Sequence, residues 1–330
     1  MHRPSPPDNS ADRARLVAEA VADLRRLPWG AEVRAGEALA GLTTFRIGGP
    51  AAGVCPVQTP DDARRFLDFA AERGLPTVCL GGGSNVLADD AGFAGLVLLM
   101  SGTHVRLESG AVRAGAGLGF DALVERCLQE GRPGLAFASG IPGSVGGAVV
   151  GNAGCYGHEI GEFVEEALVL RPDGRLERLG RGDLGFAYRT SRLKTEAGLL
   201  LEVTLRLEPA DTAAGAAERA EHLADRRRKH PTSEPCAGSY FQNLPPLEPG
   251  GRRRAAGMLL DELGARGWRE GDAGVFAKHA NIIVNLGRAT SGDVLRLADR
   301  MRGAVRDRHG ILLDPEVRHL RPTGFAPAAD

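Results

Sequence analysis

The segment from Ser139 to Gly157 constrains the fold of this chain more than any other, because it is long and built almost entirely of small residues. It reads SGIPGSVGGA, then two valines, then GNAGCYG, so few of its side chains are large enough to fill a core. Glycine allows a backbone to approach a ligand closely. A flat, phosphorylated cofactor lying against this backbone fits the segment, and a glycine-rich internal linker is the alternative.

A second glycine-rich segment, Gly81–Asn85, follows a short apolar strand predicted over 76–80. Consecutive glycines allow neighbouring N–H groups to point into one concavity, which is typical of phosphate sites. Ser84 and Asn85 add side-chain donors. A tight surface turn is the alternative, since glycine-rich turns are common.

Three standard motifs are not completed in these segments. A P-loop needs Gly-Lys-Ser/Thr, and no lysine follows Gly83. The run Gly115–Phe120 approaches the dinucleotide fingerprint G-x-G-x-x-G and fails at its last position. The run Pro142–Gly146 lacks the first glycine of the G-x-S-x-G elbow. Kinase-like, Rossmann and hydrolase interpretations are therefore not supported.

The composition is that of a globular protein with two or three domains. The 330 residues are 43% hydrophobic and 25% charged, and a domain usually takes roughly 100–200 residues. The formal net charge of −1 shows no basic excess, which argues against general nucleic-acid binding. No apolar run approaches the roughly 20 residues of a membrane span, and the polar stretch from Met1 to Arg15 lacks the apolar core of a signal peptide. We expect no membrane insertion and a cytoplasmic location.

The cysteines and histidines indicate neither a disulfide framework nor a metal site. The five cysteines form no C-x-x-C pair, and the eight histidines form no H-x-x-x-H pair. Reduced, partly buried thiols and no bound metal are therefore expected.

Apolar periodicity and turn residues predict a mixture of helices and strands. The predicted helices cover 10–27, 61–72, 120–130, 213–229, 255–263 and 293–306, and the predicted strands cover 76–80, 96–100, 111–116, 167–171, 176–179, 199–207 and 281–285. Thr59-Pro60 fits a capping residue followed by proline at the first helical position. Asp173-Gly174 between apolar runs indicates a hairpin. The sequence becomes Ala-rich and charged after Pro209, which suggests a domain boundary there.

Further motifs accompany the glycine-rich segments in a fixed order along the chain. They are Thr44–Gly49 (TFRIGG), Tyr188–Ser191 (YRTS), Gly238–Asn243 (GSYFQN), Lys278–Asn281 (KHAN) and Asp314–Val317 (DPEV). With them, the chain resembles the UDP-N-acetylenolpyruvoylglucosamine reductase family, flavoenzymes of peptidoglycan precursor synthesis, over roughly 43–318. The glycine motifs alone are shared by a wider superfamily of flavin oxidases, whereas Arg189, Ser239 and Glu316 together make the resemblance specific.

The resemblance implies an α+β fold, with a two-part FAD-binding region of the PCMH-type flavin superfamily and a C-terminal α/β substrate-binding domain. It implies that 1–95 hold an N-terminal extension and the first FAD-binding subdomain, 96–208 the second, and 209–330 the substrate-binding domain. The FAD is expected to be non-covalent, because Gly81–Asn85 contains no His or Cys anchor. Cys155 is the one candidate thiol for covalent attachment near a flavin segment.

The same resemblance assigns cofactor-binding positions and NADPH as the reductant. The positions matching the family's flavin motifs are Arg46, Gly81, Gly82, Gly83, Ser84, Asn85, Gly140, Ile141, Gly143, Ser144, Gly147, Asn152 and Gly157.

The family's substrate is an enolpyruvyl ether on a UDP-sugar, and its reduction needs a hydride at the terminal methylene carbon and a proton at the carbon bearing the carboxylate. A flavin reduced by a nicotinamide cofactor can deliver the hydride. The resemblance makes Ser239 the proton donor and places Arg189 and Glu316 at the carboxylate. Arginine offers a rigid fork of donors to a carboxylate, and a protonated Glu316 would avoid repelling the intermediate.

The resemblance also places a set of residues at the substrate: Tyr156, Lys229, Asn243, Lys278 and His279. Lys229 and Asn243 are assigned to the UDP part or its phosphates. From the residues alone, the run Arg226–Lys229 is equally typical of a solvated basic helix end, and Arg252–Arg254 is interpreted as solvated surface. Only a few residues separate Ser191 from the strand predicted at 199, so the chain resembles the family's shorter form, which lacks a tyrosine-bearing lid.

Two alternatives stay open beside the reductase. One is an FAD-dependent oxidase or dehydrogenase of the same superfamily acting on another substrate, and the other is a cofactor-free UDP-sugar binding protein. The retained Arg189, Ser239 and Glu316 favour the reductase over both. The expected partner is a small-molecule UDP-sugar, with no nucleic acid, and the chain is expected to be a monomer.

Overall fold

The first part of the fold is a helix-covered sheet in which the central strands run parallel. A computed structural model describes residues 10–248 and 251–327, so the first nine residues of the predicted first subdomain lie outside it. The elements are α1 (Ser10–Arg26), β1 (Arg34–Ala35), β2 (Ala51–Val57), α2 (Pro60–Glu72), β3 (Thr77–Leu80), β4 (Val86–Ala88) and β5 (Phe93–Met100). The strand order is β1-β2-β5-β3, with β5 parallel to both neighbours. Most of β5 is buried, as expected for a central parallel strand.

The start of α2 confirms the capping prediction. Thr59 Oγ1 accepts a hydrogen bond from Asp62 N at 3.2 Å, and Asp62 Oδ2 accepts one from Thr59 N at 2.9 Å. Pro60 occupies the first turn, where its missing N–H costs nothing. The local sequence therefore determines where this helix begins.

The second part is a five-stranded antiparallel sheet with order β11-β10-β12-β7-β6. Its elements and the helices beside it are β6 (Val105–Glu108), β7 (Ala111–Gly115), α3 (Phe120–Gln129), α4 (Val145–Val150), β8 (Gly154–Cys155), β9 (His158–Glu159), β10 (Val164–Leu170), β11 (Leu176–Gly180) and β12 (Leu199–Arg206). β10 and β11 form the hairpin predicted from Asp173-Gly174, and Asp173 Oδ1 accepts from Arg175 N at 3.0 Å in the turn.

The third part is a four-stranded antiparallel sheet with order β13-β16-β15-β14, covered by two helices. Its elements are α5 (Thr212–Lys229), β13 (Cys236–Ser239), α6 (Ala256–Glu262), β14 (Arg269–Glu270), β15 (Ala273–Val275), β16 (Ile282–Asn285), α7 (Ser291–His309), β17 (Arg318–Arg321) and β18 (Gly324–Phe325). The last two strands leave this sheet: β17 pairs with β18 and, in parallel, with β4 of the first part.

The hydrophobic cores cross these boundaries. One cluster joins α1 and α2 to the second sheet, and another joins Phe45, Ile47 and Leu87 to the helices and strands of the third part. Phe45 and Ile47 are only 1% and 3% exposed. The TFRIGG segment is therefore held by the third part of the chain.

The helix α5 lies against the second part rather than on the third sheet. It packs on the short 3₁₀ helix Pro133–Ala138 and on α3. The α+β class is confirmed, and the division at 95 and 208 stays a prediction. Within the described residues, no helix is long and apolar enough to cross a membrane.

Candidate active site

The two glycine-rich segments lie against each other. A Cβ added to Gly82 would lie 2.7 Å from Gly143 Cα, and one added to Gly143 would lie 2.3 Å from Ser84 Oγ. Ser84 Oγ donates to the Pro142 carbonyl at 3.2 Å. Part of the glycine requirement therefore comes from loop-on-loop packing, which sequence reasoning did not anticipate.

The helix α4 begins inside the small-residue segment. Ser144 caps it by accepting from Gly147 N at 3.2 Å, and a Cβ on Gly81 would lie 2.2 Å from that Ser144 Oγ. Val145 and Val149 are buried, whereas Gly147 is exposed. The accessible side of α4 is therefore bare backbone, which suits close approach of a flat ligand.

Four predicted site residues adopt a left-handed backbone that glycine normally occupies. They are Arg46, Asn152, Tyr156 and Arg189, with φ of +54°, +45°, +53° and +55°. Among the described residues no other non-glycine has a positive φ. Such strain persists where the surroundings enforce it, and it concentrates at functional sites.

Arg46 is presented by a turn with buried flanks. Phe45 and Ile47 anchor it in the core, while the Arg46 side chain is exposed. Thr44 N donates to the Gly83 carbonyl at 3.2 Å, which ties this turn to the first glycine-rich segment. The structure thus brings Arg46 to the predicted cofactor loop.

The side chain of Asn152 is buried and makes its hydrogen bonds within the protein. It is 1% exposed, and its Nδ2 donates to Glu159 Oε2 at 2.6 Å and to the Ala187 carbonyl at 2.9 Å. Its Oδ1 accepts from Gly161 N at 3.0 Å. Any contact of Asn152 with a cofactor therefore has to come from its backbone.

Arg189 lies at the tip of a tight turn. Ala187 and Thr190 exchange two backbone hydrogen bonds of 3.1 Å, which makes Arg189 the third residue of a four-residue turn. Its Nη2 donates to the Gly154 carbonyl at 2.8 Å, and its Nε lies 3.3 Å from Glu316 Oε1. Arg189 and Glu316, which the resemblance places at the substrate carboxylate, therefore lie in ion-pair contact with each other.

Glu316 lies beside Ser239 and is tied to the first glycine-rich segment. Glu316 N donates to the Tyr240 carbonyl at 2.8 Å, next to Ser239 at the end of β13. Asn85 Nδ2 donates to the Glu316 carbonyl at 3.0 Å. The structure thus places Arg189 and Glu316 in contact beside the Gly81–Asn85 loop, and Ser239 precedes the residue whose carbonyl binds Glu316.

Lys194 is a charged neighbour that sequence reasoning missed. Its Nζ donates to the Arg189 carbonyl at 2.9 Å. Burial raises the pKa of Glu316, while the charges of Arg189 and Lys194 oppose that rise. Burial also lowers the pKa of Lys194. A carboxyl group inclined to hold a proton therefore faces two cationic groups.

A second group of predicted residues meets at Asp225 on α5. Tyr156 Oη donates to Asp225 Oδ2 at 3.1 Å, and Lys229 Nζ donates to the same oxygen at 2.9 Å. The Tyr156 ring stacks on His222 with centroids 3.7 Å apart, yet 44% of Tyr156 is exposed. Burial and the Asp225 carboxylate raise the pKa of Tyr156 to about 12, so its phenol is neutral.

Arg226 is a half-buried cation that the solvated-helix interpretation missed. A Cβ on Gly140 would lie 3.1 Å from Arg226 Cδ. Gly140 itself is fixed by Asp121, whose Oδ1 accepts Gly140 N at 2.7 Å and Arg219 Nη1 at 2.5 Å. Burial, and then the charge of Arg226, lowers the pKa of His230 to about 4. Because Arg226 lies against Gly140, its guanidinium adds positive charge beside the small-residue segment.

Asn243 has a structural role as well as its predicted substrate role. Its Oδ1 accepts from Ala256 N at 3.3 Å at the start of α6, and its carbonyl accepts from Arg253 Nε at 3.1 Å. The Arg253 guanidinium lies 3.7 Å above the Tyr188 ring. Arg253 is therefore not solvated surface, because it joins Asn243 to the turn that presents Arg189.

The last two predicted substrate residues differ in burial. His279 Nδ1 accepts from Asn281 N at 3.3 Å, its ring lies 5.7 Å from that of His230, and burial lowers its pKa. Lys278 is exposed. In the parts of the chain that the structure describes, no group of three or more His, Cys, Asp or Glu residues is arranged to hold a metal ion.

Comparison with protein families gives two matches. Residues 50–180 match the family model of the FAD binding domain. Residues 230–320 match that of the UDP-N-acetylenolpyruvoylglucosamine reductase C-terminal domain.

Full-length relatives carry the same name. UDP-N-acetylenolpyruvoylglucosamine reductase 2 of Symbiobacterium thermophilum is 43% identical over 288 residues, 87% of this chain and 91% of that protein. UDP-N-acetylenolpyruvoylglucosamine reductase of Synechocystis is 39% identical over 86% of this chain and 89% of its own length. The crystal structure of the UDP-N-acetylenolpyruvylglucosamine reductase of Thermus caldophilus superposes with a TM-score of 0.73 at 33% identity, over 87% of this chain and 98% of that one.

Proposed function

The chain belongs to the UDP-N-acetylenolpyruvoylglucosamine reductase family, and from that membership we propose that it reduces UDP-N-acetylglucosamine enolpyruvate to UDP-N-acetylmuramate, with NADPH as the reductant of its FAD. Membership makes it an FAD-containing oxidoreductase of peptidoglycan precursor synthesis. The observation that carries the proposal is the Arg189–Glu316 contact beside the Gly81–Asn85 loop, with Ser239 next to the residue whose carbonyl binds Glu316.

The glycine-rich segments fit a flavin cofactor. Bound FAD supplies hydride transfer between NADPH and the carbon–carbon double bond of the substrate. Gly82, Gly147 and Gly157 expose backbone, and a Cβ on Gly157 would meet nothing within 4 Å. These residues would hold the cofactor mainly through backbone N–H groups, with Arg46 supplying a positive charge.

Arg189 would orient the enolpyruvyl carboxylate. A guanidinium presents parallel donors that match the two oxygens of a carboxylate. The turn 187–190 and the Gly154 carbonyl fix its direction before substrate arrives. A donor that is already oriented loses little freedom when the negative charge grows during reaction.

Glu316 would stabilise the developing negative charge, and Ser239 would supply the proton. Burial raises the pKa of Glu316, which favours the protonated carboxyl. In that form Glu316 donates a hydrogen bond to the growing negative charge instead of repelling it. The Ser239 hydroxyl, half-exposed at the end of β13, would give its proton to the carbon that bears the carboxylate.

The substrate diphosphate would lie near the end of α5. Lys229 is exposed and Arg226 half-buried on this helix, and Tyr156 joins them through Asp225. An ammonium and a guanidinium within reach of one another suit a diphosphate. Lys278 and His279, at the neighbouring strand end, would complete the substrate side.

The proposal also covers the domain boundaries, the oligomeric state and the location of the enzyme. We propose that 1–95 and 96–208 form the two FAD-binding subdomains and that 209–330 bind the substrate. The second and third sheets fall within 96–208 and 209–330, which supports the boundary at 208, whereas β5 of the first sheet crosses residue 95. We also propose that the enzyme acts as a monomer in the cytoplasm.

Replacing Ser239 by Ala tests the assignment of the proton donor. In stopped-flow experiments without oxygen, reduction of the flavin by NADPH should stay within about twofold of wild type. Reoxidation by UDP-N-acetylglucosamine enolpyruvate should slow by roughly a hundredfold or more, because loss of a positioned acid typically costs 10²–10⁴ in rate.

Ser109→Ala is the matched control, because Ser109 is exposed in the turn between β6 and β7. Its two half-reactions should match wild type. If Ser239→Ala slows both half-reactions equally, Ser239 has a structural role and the proton comes from another group. A wild-type flavin that the enolpyruvyl substrate does not reoxidise would refute the proposed function itself.

A further inference from the structure

Lysine is rare in this chain, and its position at 194 is therefore informative. The chain contains three lysines, Lys194, Lys229 and Lys278, among 41 Lys and Arg residues. Lys229 and Lys278 were already assigned to the substrate side. Arginine and lysine are not interchangeable where a compact, mobile charge is needed. Lys194 is the one of the three that has no predicted role at the substrate.

Lys194 hydrogen-bonds to the backbone of the strained turn that carries Arg189. It lies in the short 3₁₀ helix Arg192–Lys194, and its side chain folds back so that Nζ donates to the Arg189 carbonyl at 2.9 Å. Arg189 has a φ of +55°, a conformation that is unfavourable for an L-residue. A charged donor on the carbonyl of this residue favours the strained conformation over relaxed alternatives.

The same ammonium also lies in the field of Glu316. Glu316 is faced by Arg189 and Lys194, and Lys194 is faced by Glu316, Arg189 and Arg318. Half-burial of Lys194 reduces the screening of its charge by solvent. Lys194 therefore acts on both members of the Arg189–Glu316 pair without being placed at the reacting atoms.

We propose that Lys194 is a positioning residue of the reductase reaction, which holds the backbone of Arg189 in its left-handed turn and adds a second positive charge opposite Glu316. This inference rests on the proposed function, because it concerns the step in which the substrate is reduced. It gives Lys194 no contact with the flavin, so the reaction with NADPH is not affected.

Lys194→Met tests the proposal, because methionine keeps the length of the side chain and removes both the hydrogen bond and the charge. Reoxidation of the flavin by the enolpyruvyl substrate should slow about ten- to hundredfold, as misplacement of an orienting group can do. Flavin reduction by NADPH should be unchanged. The limb of the pH–rate profile that reports Glu316 should move to higher pH, since removing a nearby positive charge disfavours the carboxylate.

Lys194→Arg and Arg192→Met are the companion variants. Lys194→Arg keeps the charge but replaces the compact ammonium by a larger planar group, so it should leave the pH limb in place and restore only part of the rate. Arg192 is exposed and pairs with Glu196 at 2.7 Å, so Arg192→Met should behave as wild type. If Lys194→Met does not fold, Lys194→Gln replaces it, and the pH limb should still move because the charge is gone.

The outcomes distinguish failure of the role given to Lys194 from failure of the proposed function. An active wild-type enzyme with a Lys194→Met variant of normal rate and unmoved pH limb would overturn the role of Lys194 alone. Loss of FAD content and of both half-reactions together, with an unmoved limb, would also overturn it, because Lys194 would then only stabilise the fold. A wild-type flavin that the enolpyruvyl substrate does not reoxidise overturns the proposed function and this inference with it.

Discussion

At the scale of single residues, backbone conformation distinguishes the candidate site from the rest of the chain. Arg46, Asn152, Tyr156 and Arg189 each hold a conformation that costs on the order of 1–3 kcal/mol. The family motifs identify these residue types, but no sequence pattern reports their φ. The surrounding hydrogen bonds, such as those of Asn152, maintain the strain.

Lys229 provides a prediction at this scale. Lys229→Ala should raise the KM for the UDP-sugar roughly ten- to hundredfold, because a charge-assisted phosphate contact is worth about 1.5–3 kcal/mol. The rate of flavin reduction by NADPH should change little. Steady-state kinetics with varied UDP-sugar, together with stopped-flow reduction, measure both quantities.

Arg227→Ala is the control for Lys229, because Arg227 belongs to the same basic run and is exposed. Its KM should stay within about twofold of wild type. An equal rise of KM in both variants would indicate a general effect of charge, and an unchanged KM in Lys229→Ala would show that Lys229 is solvated surface.

His230 provides a prediction about pH. Its pKa is about 4 in the folded protein, through burial and the charges of Arg226 and His279, and about 6.5 in an unfolded chain. The unfolded chain therefore binds more protons between these values, so the free energy of unfolding is unaffected by His230 above pH 6.5 and decreases as pH falls towards 4. Because His230 is partly exposed, the loss should be on the order of 1–2 kcal/mol.

His230→Gln should remove this part of the acid sensitivity. Urea unfolding of the FAD-loaded protein at pH 7 and at pH 4.5 gives the two free energies of unfolding. Their difference should be smaller in the variant than in wild type by roughly 1–2 kcal/mol. The neighbouring charges Arg226, His279, Asp225 and Lys229 are present in both proteins. If the free energy of unfolding changes equally between the two pH values in both proteins, His230 is not a source of the acid sensitivity.

At the scale of elements, α5 fixes the small-residue segment to α3. Asp121 in the first turn of α3 accepts from Gly140 N and from both Arg219 Nη atoms of α5, at 2.7, 2.5 and 3.1 Å. Burial opposes ionisation of Asp121, but these hydrogen bonds hold its pKa below the usual value. One carboxylate thus joins three elements at the proposed cofactor site.

Asp121→Ala should therefore weaken FAD binding by about tenfold or more, since hydrogen bonds to a charged group contribute about 1.5–3 kcal/mol each. Fluorescence titration of the apoprotein with FAD measures the affinity. Arg219→Ala should have a similar effect, and the double variant should cost less than the sum of the two. Asp68→Ala, at an exposed position of α2, should bind FAD as wild type does. If the losses of FAD-binding free energy in the two single variants add up to the loss in the double variant, the shared role of Asp121 and Arg219 is contradicted.

The predicted elements were those with strong local signals. The capped α2, the Asp173-Gly174 hairpin and the helices α3, α5 and α7 were predicted from periodicity and turn residues, and the structure confirms them. The sequence did not predict β2, which contains Pro56, or α4, which is six residues long with two glycines. α4 depends on its Ser144 cap and on packing against the first glycine-rich segment, which are tertiary contacts.

At the scale of the whole molecule, the candidate site combines segments that lie far apart in sequence. Spacing within one segment could not predict that Arg189, Ser239 and Glu316 meet, and the family resemblance supplied that expectation. Lys194, Arg226 and Arg253 were missed because a cation in a basic or polar run has no local signal for burial. The rarity of lysine was the one sequence feature that pointed to Lys194.

The cofactor provides the prediction at this scale. The purified protein should be yellow, and heat or acid denaturation should release free FAD in about one equivalent per chain. The reason is that the glycine-rich segments offer backbone contacts, and burial raises the pKa of the Cys155 thiol to about 11, which disfavours attack on a flavin. Absorbance before and after denaturation measures both amounts. A colourless protein that takes up no added FAD would favour a binding protein over a reductase.

The parallel pairing of β4 with β17 sets a time order on biosynthesis. Asn85 and Glu316 are 231 residues apart, so a ribosome adding about 5–20 residues per second needs on the order of 10–50 s between them. Throughout that interval β4 emerges with an open edge, to which other nascent strands can pair. Translation must therefore pass Arg321 before the edge is closed, and a chain that terminates before Glu316 lacks both the closing strand and the carboxyl group proposed for the site.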